Sequence, residues 1–287
     1  MLSIFISTLA ATSSPFVADG VIVPTFADTD GRLQILHGGG CVSIQNRSLC
    51  YTSSKEAILS NSKLGHRLIE VDIVMSRDNQ VLLAHDGLES SYRLDKKFHE
   101  ITGEEFLRHR FQGRGSDNEG LTPLLFTDLL LLMKTEPSLK NALFVLDIKG
   151  DSKGYKRVIQ NIIKLLDDNP VLYSRIVPQV YAEDDIIAAD SKPFASLFLA
   201  VWKFGLQDET ILDLTQRYNI GVVTMWHNRQ TKNNAIIGPP PALVHDLLER
   251  GVIPVIHGKT SYTNIPEGVG CFTYHAKHNC IQKSISQ

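Results

Sequence analysis

The stretch that decides the fold is Leu68–Met75, with the sequence LIEVDIVM. Its aliphatic and β-branched residues are typical of a buried strand. Because successive side chains of a strand point to opposite faces, Glu70 and Asp72 share one face and the apolar residues between them share the other. The pattern predicts a parallel strand whose apolar face packs against helices while its acidic face points into an enclosed interior.

Further polar side chains follow other predicted strands at the corresponding end. Asp147 and Lys149 repeat the two-residue spacing, and His37 ends the first predicted strand, just before a run of three glycines. His85 ends a short strand, 81–85, which starts soon after the acidic strand and follows an Asp-Asn turn. This short segment predicts a β-hairpin appended to the second strand.

Strand and helix patterns alternate along the chain, which favours βα units and a parallel sheet. The strand windows are 32–37, 68–75, 142–149, 175–181, 196–202, 221–225, 252–256 and 270–274. The helix windows are 53–64, 127–134, 155–168, 182–190, 208–218 and 241–250. Eight such strands predict an α/β fold, the (β/α)8 TIM barrel. A doubly wound open sheet is the competing fold, but the glycine run lacks the GxGxxG spacing of a nucleotide-binding turn.

Composition excludes some classes of partner. The 287 residues include 29 basic and 31 acidic residues, for a net charge of −2, and the basic residues are scattered, so no nucleic-acid partner is expected. No apolar run reaches 18 residues, so no transmembrane segment is expected. Residues 1–18 are apolar but lack a basic start. We expect 1–30 to be an N-terminal extension or degraded signal segment and 31–287 to form a single barrel domain.

Four cysteines form two pairs with the same spacing, Cys41 with Cys50 and Cys271 with Cys280. An even number with local pairing favours disulfides in an exported protein, whereas four free thiols are the alternative in a cytosolic enzyme. No CxxC spacing is present, so zinc is not expected. The balance slightly favours a secreted or extracytoplasmic location.

The acidic residues lie at the carboxyl ends of predicted strands, where a parallel barrel has its active site. An unpaired charge inside the barrel is costly, and a divalent cation shared by Glu70, Asp72 and Asp147 removes that cost. Ligands that are all oxygen favour Mg²⁺ or Ca²⁺. The structural alternative is that these acids only form salt bridges to Lys149 and a nearby arginine.

Several short motifs follow one another in a characteristic order. They are YTSSKEA at 51–57, Gly65, IEVDI at 69–73, Asp78, His85-Asp86, Pro123-Leu124, LDIK at 146–149 and PQVY at 178–181. In this order the chain resembles the glycerophosphodiester phosphodiesterase family over roughly residues 34–275. That family belongs to the PLC-like phosphodiesterase superfamily, which includes phosphatidylinositol-specific phospholipase C and spider-venom sphingomyelinase D.

The resemblance implies a phosphoric diester hydrolase that cleaves glycerophosphodiesters or (lyso)phospholipid head groups. Two residues match the catalytic acid and base: His37 and His85. Three match ligands of one divalent cation: Glu70, Asp72 and Asp147, the last standing where many members have Glu. Lys149 matches a lysine that contacts the phosphate. The nucleophile is either water or a neighbouring substrate hydroxyl, and the hydroxyl would give a cyclic phosphate.

The chain departs from the family pattern at three points. Gly38 stands where most members have an arginine that contacts phosphate, and Ser53 stands where they have asparagine. The segment IHGKT, 256–260, replaces a Trp-Thr-x-Asn motif near the last strands. These departures leave the general phosphodiester chemistry in place and leave the leaving group open.

Residues after the later strands are candidates for the substrate pocket. Trp202 ends the fifth predicted strand, Trp226 follows the sixth, and Lys259 follows the seventh together with His257. The expected partner is a small-molecule or lipid phosphodiester. The apolar N-terminus could provide peripheral membrane contact, although it lacks the amphipathic basic pattern of an interfacial helix. The alternative function is a non-catalytic barrel that binds lipid head groups or a protein partner. A metal-dependent amidohydrolase is disfavoured because the first strand carries a lone histidine instead of HxH.

Overall fold

The computed structural model describes residues 17–18, 21–22, 33–44, 47–112, 120–167, 169–190, 192–202, 206–226, 229–230, 236–237, 240–257 and 268–273. Most of the N-terminal extension expected at 1–30 lies outside these residues, as do Lys259 and Cys280. Within the described chain, no helix combines the length and the apolar character that crossing a bilayer requires.

The secondary structure alternates between strands and helices along the chain. The strands are β1 (Val17–Ala18), β2 (Val21–Ile22), β3 (Gln34–Leu36), β4 (Cys41–Ile44), β5 (Arg47–Cys50), β6 (Leu68–Met75), β7 (Val81–Leu83), β8 (Leu143–Ile148), β9 (Ile176–Val180), β10 (Phe198–Ala200), β11 (Val222–Trp226), β12 (Arg229–Gln230), β13 (Ile236–Ile237), β14 (Ile253–His257) and β15 (Gly270–Thr273). The helices are α1 (Lys55–Lys63), α2 (Gly103–Leu107), α3 (Phe126–Thr135), α4 (Ser152–Leu166), α5 (Pro170–Tyr173), α6 (Glu183–Asp190), α7 (Asp208–Arg217) and α8 (Pro241–Glu249).

Eight parallel strands of the described chain close into a barrel, in the order β3, β6, β8, β9, β10, β11, β14 and β15. The pairing of β15 with β3 completes the circle. Each of these eight strands lies within its predicted window or extends one residue beyond it, so the predicted TIM-barrel fold is confirmed. The predicted hairpin is also present, because β7 pairs antiparallel with β6 outside the barrel.

Two apolar layers lie on the two sides of the barrel wall. The outer layer packs the outward face of the strands, including Ile69, Val71 and Ile73 of β6, against the surrounding helices. The inner layer fills the lower interior with Leu33, Ile35, Leu68, Leu143, Val145, Val177, Phe198, Val222, Val255 and Phe272. On β6 the inward positions therefore change from apolar Leu68 to acidic Glu70 and Asp72 toward the carboxyl end. The apolar inner layer therefore lies on the amino-terminal side of the acids.

A disulfide joins the two strands of a small hairpin directly after β3. Cys41 of β4 bonds to Cys50 of β5, and these two residues face each other in the antiparallel register. Cys271 of β15 is also disulfide-bonded. Of the two alternatives that the sequence left open, the structure has disulfides at these cysteines.

The first helix differs in detail from its predicted N-terminus. Its serine pair and Glu56 predict a capping box, but Ser54 is the N-cap, with its Oγ accepting a hydrogen bond from Ala57 N–H at 3.3 Å. Glu56 therefore lies one position too early for the box. It instead accepts bonds from the backbone N–H and the hydroxyl of Thr122, at 2.8 and 2.6 Å. The predicted capping box is wrong, and Glu56 fastens α1 to a distant loop.

Candidate active site

Three carboxylates meet inside the mouth of the barrel. Glu70 and Asp72 point inward from β6, and Asp147 points inward from the adjacent strand β8, directly opposite Asp72 in the register. One oxygen from each lies within 4.8 Å of the others, and the three residues are only 1%, 0% and 6% exposed. The structure thus brings together the three residues that the sequence predicted as metal ligands.

Lys149 balances part of this charge. Its Nζ lies 2.6 Å from Asp72 Oδ1 and 2.5 Å from Asp147 Oδ2. Burial alone would lower the pKa of this ammonium, but the carboxylates of Asp147 and Asp72 outweigh burial and raise the pKa, so Lys149 stays charged. The salt bridge of the structural alternative is therefore present, but among the described residues it supplies one positive charge for three carboxylates.

The remaining charge makes the site suited to a cation. Burial raises the pKa of Glu70 and of Asp72, and the neighbouring carboxylates add to the effect. Glu70 Oε1 and Asp72 Oδ2 are buried and have no hydrogen-bond donor among the described residues. Buried oxygens without a donor cost free energy unless a cation or water meets them. The donor set therefore fits a divalent ion that prefers oxygen ligands.

Each of the three carboxylates accepts a hydrogen bond from a neighbouring residue. Gly38 N–H donates to Glu70 Oε2, and the hydroxyl of Tyr181 donates to Asp147 Oδ1. The hydroxyl of Tyr51 donates to Asp72 Oδ1 at 3.0 Å. Because each acid has its own donor, the oxygens are oriented before any ligand arrives.

His37 stands at the end of β3, in a short 3₁₀ turn, and is buried beside the acids. Its Nε2 lies 4.0 Å from Glu70 Oε2 and 3.2 Å from Nε2 of His257. Burial lowers the pKa of His37 well below its usual value, with smaller contributions from His257 and Lys149. At neutral pH the ring is therefore uncharged and has one nitrogen lone pair.

Tyr51 contacts the rings of both predicted catalytic histidines, His37 and His85. The ring centroid of Tyr51 is 4.4 Å from that of His37 and 5.1 Å from that of His85. The side chain of His85 is 31% exposed, and its Nδ1 lies 3.3 Å from Asp86 Oδ1. Of the two predicted catalytic histidines, His37 is therefore buried and His85 is partly exposed.

Tyr51 also accounts for the glycine at position 38. Gly38 has φ of +57°, and a Cβ there would lie 2.2 Å from Tyr51 Cδ2 and 2.7 Å from Tyr51 Cα. The Tyr51 ring and backbone therefore fill the space that the side chain of an arginine at position 38 would enter.

The opposite half of the mouth is aromatic. Trp202 stacks on His257 with centroids 5.5 Å apart and an interplanar angle of 24°, and Trp226 meets the edge of His257 at 4.5 Å. Trp226 is 38% exposed at the rim. Of the predicted substrate-binding residues, Trp202 and Trp226 are thus on the rim, and Lys259 lies outside the described residues.

Sequence reasoning did not predict two hydroxyl groups of the site. Tyr181 directly follows β9 and lies two residues after inward-facing Gln179, so the strand-end rule that identified Asp147 and Lys149 also applies to it. Tyr51 belongs to no strand, and its only signal is its position in the motif YTSSKEA. His257 was predicted only as a rim residue, and nothing in the sequence pairs it with His37.

No protein-family model and no curated protein sequence matches the chain. Solved structures do match it. A Galdieria sulphuraria protein assigned to the glycerophosphodiester phosphodiesterases has a TM-score of 0.60 at 13% identity, over 84% of this chain and 92% of that one. A glycerophosphodiester phosphodiesterase from Agrobacterium tumefaciens has a TM-score of 0.57 at 12% identity, over 84% and 95%.

A third structure was determined with a ligand. A phosphodiesterase from Oleispira antarctica, in complex with the product sn-glycerol-3-phosphate, has a TM-score of 0.57 at 11% identity, over 84% of this chain and 91% of that one. At such low identity the likeness concerns the backbone and its topology. The chain therefore has the barrel fold of the glycerophosphodiester phosphodiesterases.

Proposed function

We propose that this protein is a metal-dependent phosphodiesterase that cleaves glycerophosphodiesters or the head groups of (lyso)phospholipids. The observation that carries the proposal is the convergence of three buried carboxylates beside Tyr51, whose ring contacts both His37 and His85. The fold shared with phosphodiesterase structures supports the same reaction class. The protein would then be a phosphoric diester hydrolase.

Glu70, Asp72 and Asp147 would hold one divalent cation, Mg²⁺ or Ca²⁺. When bound, such an ion supplies positive charge to the non-bridging oxygens of a phosphodiester, where negative charge grows in the transition state. Lys149 adds a fixed ammonium on the same side of the site. Because Lys149 is buried and paired, its charge is already in position and acts in a medium of low dielectric constant.

His37 and His85 would move the protons. One histidine takes a proton from the nucleophile, and the other returns a proton to the leaving alkoxide. The nucleophile is water or a substrate hydroxyl, and in the second case the product is a cyclic phosphate. The partial exposure of His85 supports proton exchange with solvent on that side.

The non-phosphate part of the substrate would contact the aromatic half of the mouth. Trp202 and Trp226 offer flat apolar surface there. Lys259, two positions after β14 in the sequence, is the further proposed contact. We also propose that 31–287 acts as one catalytic barrel domain preceded by the 1–30 extension. Peripheral membrane contact through the extension would suit a lipid substrate.

The test is ³¹P NMR of the products formed from a panel of glycerophosphodiesters and lysolipids. The ³¹P signals report both the bond that is cut and any cyclic phosphate. Parallel reactions contain Mg²⁺, Ca²⁺ or EDTA to test whether cleavage depends on a divalent cation. We expect turnover that EDTA abolishes. His37→Asn and His85→Asn should each reduce turnover about 100-fold or more, since each removes a proton-transfer group.

His245→Asn is the matched control, because His245 lies on α8 with its side chain 68% exposed, paired with Glu249. It should keep the wild-type rate. If both active-site variants also keep that rate, or if EDTA has no effect, the proposed mechanism is wrong. If no substrate in the panel is cleaved while the folded protein binds head groups, the non-catalytic alternative is correct.

A further inference from the structure

His257 contacts His37 although the two residues are 220 positions apart and their strands are not adjacent. β15 lies between β14 and β3 in the barrel, so the contact crosses the mouth above it. The two Nε2 atoms are 3.2 Å apart, and the ring centroids are 4.4 Å apart with an interplanar angle of 81°. This is hydrogen-bond distance for two ring nitrogens.

The ring of His257 is fixed by aromatic neighbours. Trp202 stacks on one face, Trp226 meets it edge-on, and Phe272 lies 5.0 Å away, also edge-on. Nδ1 of His257 is buried and has no partner among the described residues. Among the described residues, the His257 ring therefore forms its hydrogen bond through Nε2, and the partner is His37.

A contact between two imidazole nitrogens constrains which atoms carry hydrogen. Burial lowers the pKa of His257 to about 4, so this ring is neutral at pH 7, as is the ring of His37. Each neutral imidazole has one N–H and one lone pair. The contact is favourable only when one Nε2 donates and the other accepts, so it links the tautomer of His37 to that of His257.

We propose that His257 is a positioning residue that holds His37 in one tautomer and one ring orientation through the Nε2–Nε2 hydrogen bond. The role rests on the proposed function, in which His37 transfers a proton during phosphodiester cleavage. A ring free to flip or to exchange tautomers would present the correct nitrogen only part of the time, and turnover would fall accordingly. The aromatic wall around His257 is then part of the catalytic framework as well as a substrate surface.

Two substitutions separate the hydrogen bond from the packing. His257→Phe keeps a ring against Trp202 and Trp226 but removes both nitrogens. His257→Gln keeps a donor and an acceptor at a similar reach. We expect His257→Phe to lower kcat about tenfold or more with KM within twofold, and His257→Gln to recover most of the loss. His245→Phe and His245→Gln, on the exposed face of α8, are the matched controls and should leave kcat unchanged.

A second readout does not depend on activity. Side-chain ¹⁵N NMR reports the tautomer of each histidine, and a ¹⁵N–¹⁵N coupling across the contact reports the hydrogen bond itself. We expect one tautomer of His37 and a measurable coupling in the wild type, and mixed tautomers in His257→Phe. If that variant does not fold, the wild-type coupling and the His257→Gln spectrum decide.

The outcomes distinguish this role from the proposed function. If the wild-type protein cleaves no phosphodiester, the proposed function fails, while the His37 spectrum still tests the positioning role. An identical His37 spectrum in the wild type and His257→Phe overturns the positioning role, as does an unchanged kcat. Equal loss of kcat in His257→Phe and His257→Gln also overturns it, because the loss would not follow the hydrogen bond.

Discussion

Gly38 is the residue on which the geometry around His37 depends most directly. Its φ of +57° lies in the left-handed region, its N–H holds Glu70, and the Tyr51 backbone lies where a Cβ would project. Neither the conformation nor the close approach is available to another residue without cost. The local structure thus requires glycine at position 38, where most members of the resembled family have arginine.

Gly38→Ala should lower the free energy of unfolding by roughly 2–5 kcal/mol, from left-handed backbone strain plus overpacking against Tyr51. Gly251→Ala is the matched control, since Gly251 also has positive φ, +72°, but no atom lies within 4 Å of the point that a Cβ would occupy there. It should cost only about 1–2 kcal/mol. Urea unfolding measures both, and equal losses would show that contact with Tyr51 contributes nothing.

The lowered pKa of His257 predicts how stability depends on pH. In the unfolded chain this histidine binds a proton below about pH 6.5, but in the folded protein only below about pH 4. Between these values the unfolded state binds more protons, so the free energy of unfolding falls as the pH is lowered.

Relative to His257→Phe, the wild type should therefore lose stability on the order of 3 kcal/mol between pH 7 and pH 4. Chemical denaturation at a series of pH values measures the difference, with His245→Phe as the control for the change of residue type. Parallel stability curves for the wild type and His257→Phe would contradict the prediction.

At the residue scale, sequence reasoning worked where strand alternation sets direction. Glu70 and Asp72 were predicted to face the interior because they alternate with apolar residues that face the helices, and Asp147 and Lys149 repeat the same spacing. Tyr51 was not predicted, because its position depends on a disulfide-closed hairpin instead of a periodic element.

At the element scale, the hairpin of β4 and β5 carries Tyr51 into the site. Cys50 ends β5 and bonds to Cys41, and Tyr51 follows immediately with φ of +61°. The Tyr51 N–H then donates to Gly40 O at 3.2 Å. The disulfide and this bond fix the residue that orients Asp72.

Replacing both Cys41 and Cys50 by serine should lower the free energy of unfolding by roughly 2–3 kcal/mol, because a short closed loop is opened in the unfolded chain. Thermal unfolding without reductant measures this and leaves the bond of Cys271 intact. Turnover should fall as well, since Tyr51 loses its support. Tyr51→Phe is the comparison, because it removes the bond to Asp72 and keeps the disulfide. An unchanged stability of the double variant would refute the structural role of the bridge.

Regular elements were predictable because their periodicity is written into local sequence. All eight barrel strands and the longer helices other than α4 lie within one residue of their predicted windows. Helix α4 begins three residues before its window, and the short helices α2 and α5 were not predicted. The capping box at α1 failed by one residue, which is within the usual uncertainty of helix ends. Glu56 instead bonds to Thr122, which is 66 positions away and comes near only in the folded chain.

At the scale of the whole molecule, the barrel places three carboxylates next to each other, directly above the apolar layer that fills its lower interior. A divalent cation that binds only the folded state should raise its stability, by about 2.7 kcal/mol at a concentration 100 times its Kd. Thermal unfolding in Mg²⁺, Ca²⁺ or EDTA measures the effect. Asp72→Asn should reduce the shift, whereas Asp213→Asn, an exposed carboxylate on α7, should keep it. A melting temperature that is the same in all three solutions would exclude the metal site.

The meeting of distant residues was the least predictable feature. Alternation gives the face of each strand, but the distance between His37 and His257 follows from barrel closure and from the aromatic packing above β15. No local sequence pattern predicts barrel closure or this aromatic packing, because both depend on the number of strands in the barrel.

The junction between the first two strands of the barrel has a consequence for protein engineering. β3 and β6 share a single register pair, Leu36 with Ile69, and the Gly38–Glu70 bond lies just above it. Glu70, which is expected to bind the metal ion, therefore also stabilises the short pairing between β3 and β6. Replacing Glu70 with a shorter metal ligand would remove this hydrogen bond and weaken the pairing of β3 with β6. Variants designed to alter metal binding at this position must therefore provide another acceptor for the Gly38 N–H.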